Sequence, residues 1–240
     1  AATWAASTVG VAAAVGVGQS QYEIAHYVES NIQGTANLLD ILVNARHPVK
    51  KLLVASSMSI YGEGLYECEK CGRVKPALRQ EAEKCPNKEG KENWEPACPH
   101  CQGEIKPLPT PEDTPLLANS IYAITKKEQE EMALLIGRTY GLPVVALRFF
   151  NVYGPRQSLS NPYTGVTAIF LSRVKNNRPP VVYEDGWQTR DFIWVGDVVR
   201  ACVRCLESER ADYQVFNVGT GKPVAIREMA EMVIKLLKKK

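Results

Sequence analysis

The sequence predicts an α/β fold built on a parallel sheet with helices packed against it. Val49 to Ser57 has a continuous apolar centre, Leu52 to Ala55, and Val144 to Phe150 is apolar except for Arg148, as expected of strands buried on both faces. Stretches with helical spacing of apolar residues lie between and around these two runs. Strands that alternate with helices favour parallel pairing, because each helix carries the chain back to the same end of the sheet.

The remaining elements follow in order along the chain. Residues 22–46 predict a long amphipathic helix, because Tyr27, Leu38 and Leu42 recur near helical spacing. A second long helix is expected from Ser120 to Tyr140. After these we expect a helix over 164–176, a strand near 181–184, a helix over 197–207, a strand over 214–218 and a last helix over 226–239.

Composition indicates an ordinary globular protein and argues against two classes of partner. Apolar residues make up 45% and charged residues 23% of the 240 residues, and the net charge of +3 is too small to predict nucleic-acid binding. The basic stretch from Lys235 to Lys240 is interpreted as a solvated helix end. Residues 5–18 are small and uncharged, but no basic residue precedes them and glycines interrupt them. We therefore expect neither a signal peptide nor a membrane span.

Residues 66–108 differ in character from the rest of the chain. They hold five of the seven cysteines together with many lysines and glutamates, and they show no sustained apolar period. This stretch is therefore predicted to be an inserted module. Two Cys-x-x-Cys pairs in a chain without a secretory signal favour a metal site over disulfides, and they fit a reducing cytoplasm.

The paired cysteines predict a structural zinc ribbon. Their spacing is that of two zinc knuckles, and four thiolates close a tetrahedron around zinc without leaving an open position for chemistry. The predicted ligands are Cys68, Cys71, Cys98 and Cys101. Cys85 is a spare candidate and His100 a weaker one. Cys202 and Cys205 share the spacing but fall in a predicted helix, where we interpret them as core residues.

Tyr122 and Lys126 form the strongest catalytic signal. Residues four apart share one face of a helix, so the lysine can lie beside the tyrosine. A tyrosine has a pKa of about 10 and is a poor base at neutral pH. Bringing it to about 7 requires roughly 4 kcal/mol of phenolate stabilisation, for which a buried ammonium and a nicotinamide cation are suitable sources. The pair alone is a weak motif, because it also occurs by chance on surface helices.

Polar clusters follow the predicted strands, at the edge of the sheet where α/β proteins bind ligands. In chain order they are Ser56 to Gly62, Leu147 to Arg156, Gln188 to Ile193 and Phe216 to Gly221.

Taken together with Tyr122-x-x-x-Lys126, these ordered segments closely resemble the extended short-chain dehydrogenase/reductases that act on nucleotide sugars. The resemblance runs from about Ala12 to the C-terminus, apart from the cysteine insert, and it implies a Rossmann-like sheet and bound NAD. Within that family, the Ser-Met-Ser-Ile-Tyr-Gly segment with its cysteine-rich insert is most similar to dTDP-L-rhamnose 4-epimerases, with UDP-glucose 4-epimerases close behind.

The resemblance also implies roles for individual residues. Ser57 matches the catalytic serine that hydrogen-bonds the sugar oxygen, Tyr122 the base, and Lys126 its partner on the nicotinamide ribose. Residues matching the cofactor side are Asn31, Ser56, Phe149 and Phe150, and those matching the substrate diphosphate side are Asn151 and Arg190.

The expected reaction is inversion at C4 of a dTDP- or UDP-linked sugar through a transient 4-keto sugar. Family 4,6-dehydratases place an acidic pair after the catalytic serine or threonine, whereas Met58 and Ser59 stand here. The alternatives are a dehydratase or reductase of the same family, or an inactive remnant that serves as an interaction module. The resemblance further implies a homodimer formed through two helices, near 23–45 and 121–140.

The chain departs from the family pattern at its beginning. No Gly-x-x-Gly-x-x-Gly cofactor loop is present, and the match starts near Ala13, where the family's fourth strand ends. We therefore expect an N-terminally truncated chain that binds NAD weakly on its own. The expected parts are a partial cofactor-binding domain over 1–65 and 109–156, the zinc ribbon over 66–108 and a substrate-binding region over 157–240.

Overall fold

The computed structural model describes residues 7–10, 13–76, 85–86, 92–93, 96–157 and 165–238. The strands are β1 (Ser7–Gly10), β2 (Lys51–Ser57), β3 (Leu65–Cys68), β4 (Gly72–Val74), β5 (Cys85–Pro86), β6 (Glu92–Asn93), β7 (Ile105–Leu108), β8 (Val144–Phe149), β9 (Asn151–Tyr153), β10 (Thr189–Trp194), β11 (Val215–Val218) and β12 (Pro223–Ala225). The helices are α1 (Val17–Ser20), α2 (Ile24–Tyr27), α3 (Gly34–Asn44), α4 (Ile121–Tyr140), α5 (Val166–Lys175), α6 (Val195–Glu207) and α7 (Ile226–Leu236), with a π-helical segment at Val28–Gln33 and 3-10 turns at Met58–Tyr61 and Glu209–Ala211.

A four-stranded parallel sheet in the order β1-β2-β8-β11 forms the centre of the fold, as the sequence predicted. All seven residues of β2 are buried. Alternate residues face opposite sides of a strand, so Leu52 and Val54 pack with α3 and α4, whereas Leu53 packs with α6. The continuous apolar runs thus reflect a sheet covered on both faces.

The strand register aligns the polar ends of three strands. Ser56 on β2 pairs with Arg148 on β8, and Arg148 pairs with Asn217 on β11. The three side chains therefore form one row across the sheet, next to the carboxyl ends of the strands. Ligands of open α/β sheets bind at this edge.

The helix expected over 22–46 is present from Ile24 to Asn44, but its middle is π-helical. Val28–Gln33 forms this segment, and it includes the fully buried Asn31. Such π-helical turns inside α-helices are frequently found at functional sites. The apolar spacing that predicted the helix carries no signal for this local change of hydrogen bonding.

A second, three-stranded sheet has the order β12-β10-β9. Its central strand is formed by Thr189–Trp194, so the segment from Gln188 to Ile193 is largely a strand itself and not a cluster following one. The strand predicted near 181–184 is absent, and that prediction was wrong. Pro179 and Pro180 supply no backbone N–H for pairing, and Glu184 adopts a positive φ of 56°.

The cysteine-rich stretch forms its own small antiparallel sheet, β4-β3-β7, inserted between β2 and α4. The C-terminal part contributes to both larger sheets, since β11 pairs with β8 while β10 and β12 form the second sheet. Among the helices in the described ranges, none is both long and apolar enough to cross a lipid bilayer.

Gly137 sets how closely α4 approaches the sheet. A Cβ at this position would lie 2.4 Å from Val144 Cγ2 and 2.8 Å from the Leu142 carbonyl oxygen. Alanine in a helix interior is ordinarily better than glycine by about 1 kcal/mol. Here we expect Gly137→Ala instead to destabilise the protein by about 1–3 kcal/mol through overpacking, as measured by denaturant unfolding.

Gly34→Ala is the matched control, because the nearest heavy atom to its added Cβ is a backbone oxygen 3.9 Å away. This variant should gain roughly 0.5–1 kcal/mol. Stabilisation of both variants would show that α4 is not held at the distance described.

Candidate active site

Ser57 begins a tight turn at the end of β2. It is the N-cap of the 3-10 turn Met58–Tyr61, and its Oγ accepts hydrogen bonds from Ser59 N at 3.2 Å and Ser59 Oγ at 2.9 Å. Because both bonds use Ser57 Oγ as acceptor, its own hydrogen stays available to a third partner. The Oγ of Ser56 is buried and has no hydrogen-bond partner among the described residues.

Tyr122 lies in the first turn of α4 and forms a hydrogen bond with the Ser57 side chain. Its backbone N–H donates to Ser20 Oγ at 3.0 Å, and its ring meets Tyr27 edge-on with centroids 6.4 Å apart. Burial raises the pKa of Tyr122, and the hydrogen bond from Ser57 offsets part of that rise. The structure thus brings together the serine and tyrosine that lie 65 positions apart in the sequence.

Lys126 follows one turn later on the same helix and is only 3% exposed. Its Nζ donates to Gln129 Oε1 at 2.8 Å. Burial lowers the pKa of Lys126 to about 8, while the nearby Glu130 carboxylate acts in the opposite direction. A buried lysine with so low a pKa is a candidate functional group.

A buried ion pair beside this lysine was not anticipated from the sequence. Arg148 donates through Nη2 to Glu130 Oε1 at 2.6 Å and through Nε to Glu130 Oε2 at 3.1 Å. Its Nη1 donates to Tyr61 Oη at 2.6 Å, and Tyr61 Oη donates in turn to Asn217 Oδ1 at 2.8 Å. A charged residue inside the apolar run from Val144 to Phe150 was the available signal, because a buried charge requires a partner.

The predicted cofactor-side residues occupy different positions around this centre. Both amide hydrogens of Asn31 are used internally, on Thr125 Oγ1 at 2.9 Å and the Ala14 carbonyl oxygen at 3.2 Å. Phe149 and Phe150 are half-buried at the end of β8. They lie beside Ser57 and the β11 terminus, since Phe149 pairs with Ser57 and Phe150 N donates to Val218 O.

The predicted diphosphate-side residues lie on the second sheet. Asn151 Nδ2 donates to the Asp191 carbonyl oxygen at 3.2 Å and contacts Met58 Sδ at 3.6 Å. Arg190 is exposed, and its Nη1 donates to the Thr189 carbonyl oxygen at 2.7 Å.

Asp191 holds the loop after β11. Its carboxylate accepts hydrogen bonds from the backbone N–H groups of Thr220 and Gly221 and from Thr220 Oγ1, at 2.7–2.9 Å. The sequence analysis placed Asp191 in the polar cluster from Gln188 to Ile193. Its hydrogen bonds to Thr220 and Gly221 could not be predicted, because no local pattern links positions so far apart in the chain.

The four predicted metal ligands converge at the tip of the insert. The Sγ atoms of Cys68, Cys71, Cys98 and Cys101 all lie within 4.8 Å of one another. Four sulfurs bound to zinc at about 2.3 Å would be about 3.8 Å apart, so the cluster has nearly the size of a tetrahedral site. Cys202 and Cys205 pack instead against the core under α6, as expected.

The second knuckle is a hydrogen-bonded turn. Cys98 N donates to the Gly103 carbonyl oxygen, and Gln102 N donates to the Cys98 carbonyl oxygen, each at 2.9 Å. Burial raises the pKa of the Cys98 thiol, but hydrogen bonds from the backbone N–H groups of Cys101 and His100 outweigh it and bring the pKa to about 6. His100 itself is exposed and is not part of the cysteine cluster.

Residues 5–79 and 99–219 match the sequence profile of the NAD dependent epimerase/dehydratase family. The unmatched interval, 80–98, lies within the cysteine-rich insert. The dTDP-L-rhamnose 4-epimerase of Burkholderia thailandensis is 32% identical over 227 residues, which are 93% of this chain and 59% of that protein.

Solved structures resemble the fold over almost its entire length. A UDP-N-acetylglucosamine 4-epimerase from Methanobrevibacter ruminantium, in complex with UDP-N-acetylmuramic acid, is 29% identical with a TM-score of 0.73 over 98% of this chain and 61% of its own. A Thermus thermophilus UDP-glucose 4-epimerase in complex with NAD is 28% identical with a TM-score of 0.71 over 98% of this chain and 63% of its own. The chain thus spans about three-fifths of the length of these relatives.

The buried charge of Lys126 should destabilise the protein near neutral pH. The pKa of Lys126, about 8, lies below the 10.5 of an exposed lysine. Between pH 8 and 10.5 the unfolded state therefore binds more protons than the folded state. The free energy of unfolding consequently rises as the pH increases through this range. Below pH 8 the penalty is fully present and amounts to about 3 kcal/mol. Lys126→Met removes this penalty at the expense of the Gln129 hydrogen bond.

We expect Lys126→Met to be more stable than the parent by about 1–3 kcal/mol at pH 7, with a gain that shrinks as the pH approaches 10.5. Chemical denaturation at pH 7, 8.5 and 10 measures the difference. Lys127→Met is the control, because Lys127 is only partly buried in an exposed pair with Glu131. A gain that stayed constant with pH would contradict the assignment of a buried ammonium.

Proposed function

We propose that this chain, which belongs to the NAD dependent epimerase/dehydratase family, inverts C4 of a nucleotide-linked sugar. The observation that carries the proposal is the buried hydrogen bond between Tyr122 and Ser57, with Lys126 one turn further along α4. The first two turns of α4 thus bring a proton acceptor, Tyr122, and a cation, Lys126, to the end of β2. Ser57 at that strand end supplies the group that holds the sugar oxygen. Oxidation of a sugar hydroxyl requires such a base, a hydrogen-bonding group for the oxygen and a nearby positive charge.

Each of these residues has a distinct task. Tyr122 accepts the proton of the sugar 4-hydroxyl and later returns it, while the Ser57 hydroxyl holds the same sugar oxygen. Burial alone keeps the pKa of Tyr122 high, so the phenolate depends on positive charge brought next to it. Lys126 supplies one such charge when its ammonium turns from Gln129 towards the ligand.

The residues fit NAD on the nicotinamide side. Among the described residues, the buried Ser56 hydroxyl lacks a partner, and Lys126 has one hydrogen-bond acceptor for its three ammonium hydrogens. Bound NAD would take up a hydride from C4 and return it. Phe149 and Phe150 would bound the nicotinamide. Asn31 would contribute through the second lone pair of Oδ1, because Oδ1 already accepts from Ala14 N at 2.8 Å and both amide hydrogens are donated.

Epimerisation is favoured over 4,6-dehydration by the two residues that follow Ser57. Met58 has no proton to exchange, and Ser59 donates its hydroxyl to Ser57 at 2.9 Å. Neither group serves as a general acid or base at neutral pH. The names of the similar proteins point to UDP- or dTDP-linked sugars, and Arg190 and Asn151 are the proposed contacts for the diphosphate, which suits the forked guanidinium of arginine.

A homodimer through α2–α3 and α4 fits the apolar residues that these helices leave exposed, which are Ile24, Val28, Ile41, Ile124 and Leu135. We propose that the chain is divided into a partial cofactor-binding domain (1–65 and 109–156), an insert (66–108) and a substrate-binding region (157–240).

We further propose that the cysteine cluster binds one structural zinc ion. The size of the cluster and the convergence of four thiols from two Cys-x-x-Cys turns support this assignment. Reduced thiols of this kind also support a cytoplasmic location.

Replacing the base should nearly abolish turnover without abolishing substrate binding. Tyr122→Phe keeps the ring packed against Tyr27 but removes the proton acceptor, which is typically worth about 10²- to 10⁴-fold in rate. Steady-state assays with dTDP-rhamnose and UDP-glucose, together with calorimetric titration of the nucleoside diphosphate, measure both effects. The matched control, Tyr140→Phe at the exposed end of the same helix, should behave as the parent. A Tyr122→Phe variant that kept more than a tenth of the parent rate would rule out this assignment.

Freshly purified protein should hold one zinc ion per chain. Cys71→Ser should lose the metal and loosen the β4-β3-β7 sheet, because zinc-binding energy is folding energy in small modules. Cys202→Ser, outside the cluster, should keep the metal. Elemental analysis and thermal melting provide the measurements, and zinc lost on changing Cys202 would contradict the site.

A further inference from the structure

Both strands that leave the cysteine knuckles lead back to the active-site edge of the sheet. β4 follows the knuckle of Cys68 and Cys71 and is followed directly by Lys75. β7 follows the knuckle of Cys98 and Cys101 and leads into Thr110 and Glu112. The residues just beyond these two strands therefore form the junction between the metal cluster and the fold.

Lys75 holds the turn that begins with Ser57. Its Nζ donates to the Tyr61 carbonyl oxygen at 2.7 Å and also to the Pro115 carbonyl oxygen. Tyr61 is the last residue of the 3-10 turn for which Ser57 is the N-cap. Lys75 thus fixes the end of the turn that orients the Ser57 hydroxyl.

Thr110 and Glu112 hold the other end of Tyr61 indirectly, through Asn217. The Thr110 carbonyl oxygen accepts from Asn217 Nδ2 at 2.8 Å, and Glu112 Oε1 accepts from Asn217 N at 2.9 Å. Asn217 accepts from the Tyr61 hydroxyl at 2.8 Å. The Glu112 carbonyl oxygen also accepts from Arg148 Nη1 at 2.9 Å. The segment after β7 is thereby bonded to the end of β8 as well as to β11.

We call the segments that follow β4 and β7 the two stems of the insert. The β4 stem holds the Tyr61 main chain through Lys75, and the β7 stem binds Asn217, which accepts from the Tyr61 hydroxyl. The chain next to it has little freedom, because Gly62 has a φ of 69° and a Cβ there would lie 2.3 Å from the Leu117 carbonyl oxygen. A displacement of the stems would accordingly move Tyr61 and, with it, the turn that carries Ser57.

We propose that the cysteine module is a positioning element for the catalytic turn, in which Lys75 and Glu112 act through Tyr61 to hold Ser57 against the sugar oxygen. The proposal rests on the zinc site and the reaction proposed above. The module has strands of only two to four residues, too short for independent stability without a metal. Metal binding would therefore fix both stems and, through them, the catalytic turn.

The experiment compares five forms of the full chain, which are the zinc-loaded parent, the parent stripped with a chelator, Lys75→Met, Lys75→Arg and Lys106→Met. Lys106 is an exposed residue of the insert on β7 and provides the matched control. Hydrogen exchange of a peptide covering 58–64 reports on the turn, elemental analysis reports on zinc, and kcat and KM are measured with dTDP-rhamnose and UDP-glucose.

Metal removal and Lys75→Met should each speed exchange in 58–64 by about tenfold or more, because each loses charge-assisted hydrogen bonds to the turn. Lys75→Met should keep its zinc and should lower kcat more than it raises KM, since Ser57 acts on the reacting oxygen. Lys75→Arg should restore protection, and Lys106→Met should match the parent.

Unchanged exchange in 58–64 for Lys75→Met, or exchange that rises only within 65–74 when zinc is removed, would overturn the proposal. Failure of the underlying assignments looks different. A parent that holds no zinc would refute the metal site, and a parent inactive on both sugars at saturating NAD would refute the choice of substrates. In either case the exchange of Lys75→Met still decides whether the insert holds the turn.

Discussion

The arrangement of the site depends on the buried ion pair between Glu130 and Arg148. It links the middle of α4 to β8 by two hydrogen bonds, and both side chains are at most 5% exposed. Loss of one partner from such a pair typically costs about 3–5 kcal/mol, because the other charge stays buried. The pair therefore sets the rotation and height of α4 on the sheet, and these decide whether Tyr122 and Lys126 face Ser57.

The same pair offsets part of the free-energy cost of burying the Lys126 ammonium. Burial lowers the pKa of Lys126, and the carboxylate of Glu130, four residues further along the helix, opposes that effect. Arg148 in turn accommodates the carboxylate and also reaches Tyr61. Three charged groups are thus buried together with a net charge of +1 when Lys126 is protonated. An anionic ligand that approaches Lys126 would balance this charge.

The sequence predicted the parts of the fold that depend on local pattern. Apolar runs predicted β2 and β8, and the helical spacing of apolar residues predicted α4. Tyr122 and Lys126 lie one turn apart on α4, as their four-residue spacing indicated. β10 was missed because its apolar residues are mixed with Arg190 and Asp191, and its pairing with β9 and β12 is not local. The Glu130–Arg148 pair was also missed, although Glu130 continues the buried face of Tyr122 and Lys126 at the same four-residue spacing.

The position of the cysteine module follows from the architecture of the sheet. An insertion within a strand would disrupt pairing, whereas the loop between β2 and α4 lies at the carboxyl edge, where chain is added without altering the core. That edge also carries Ser57, for which we propose a catalytic role, so an insert tolerated there meets the turn that begins with Ser57 directly. Lys75 bonding to the Tyr61 carbonyl oxygen is such a contact. Without such a bond, Tyr61 would still be held at its hydroxyl, which accepts from Arg148 and donates to Asn217. The backbone that orients Ser57 would then be less restrained.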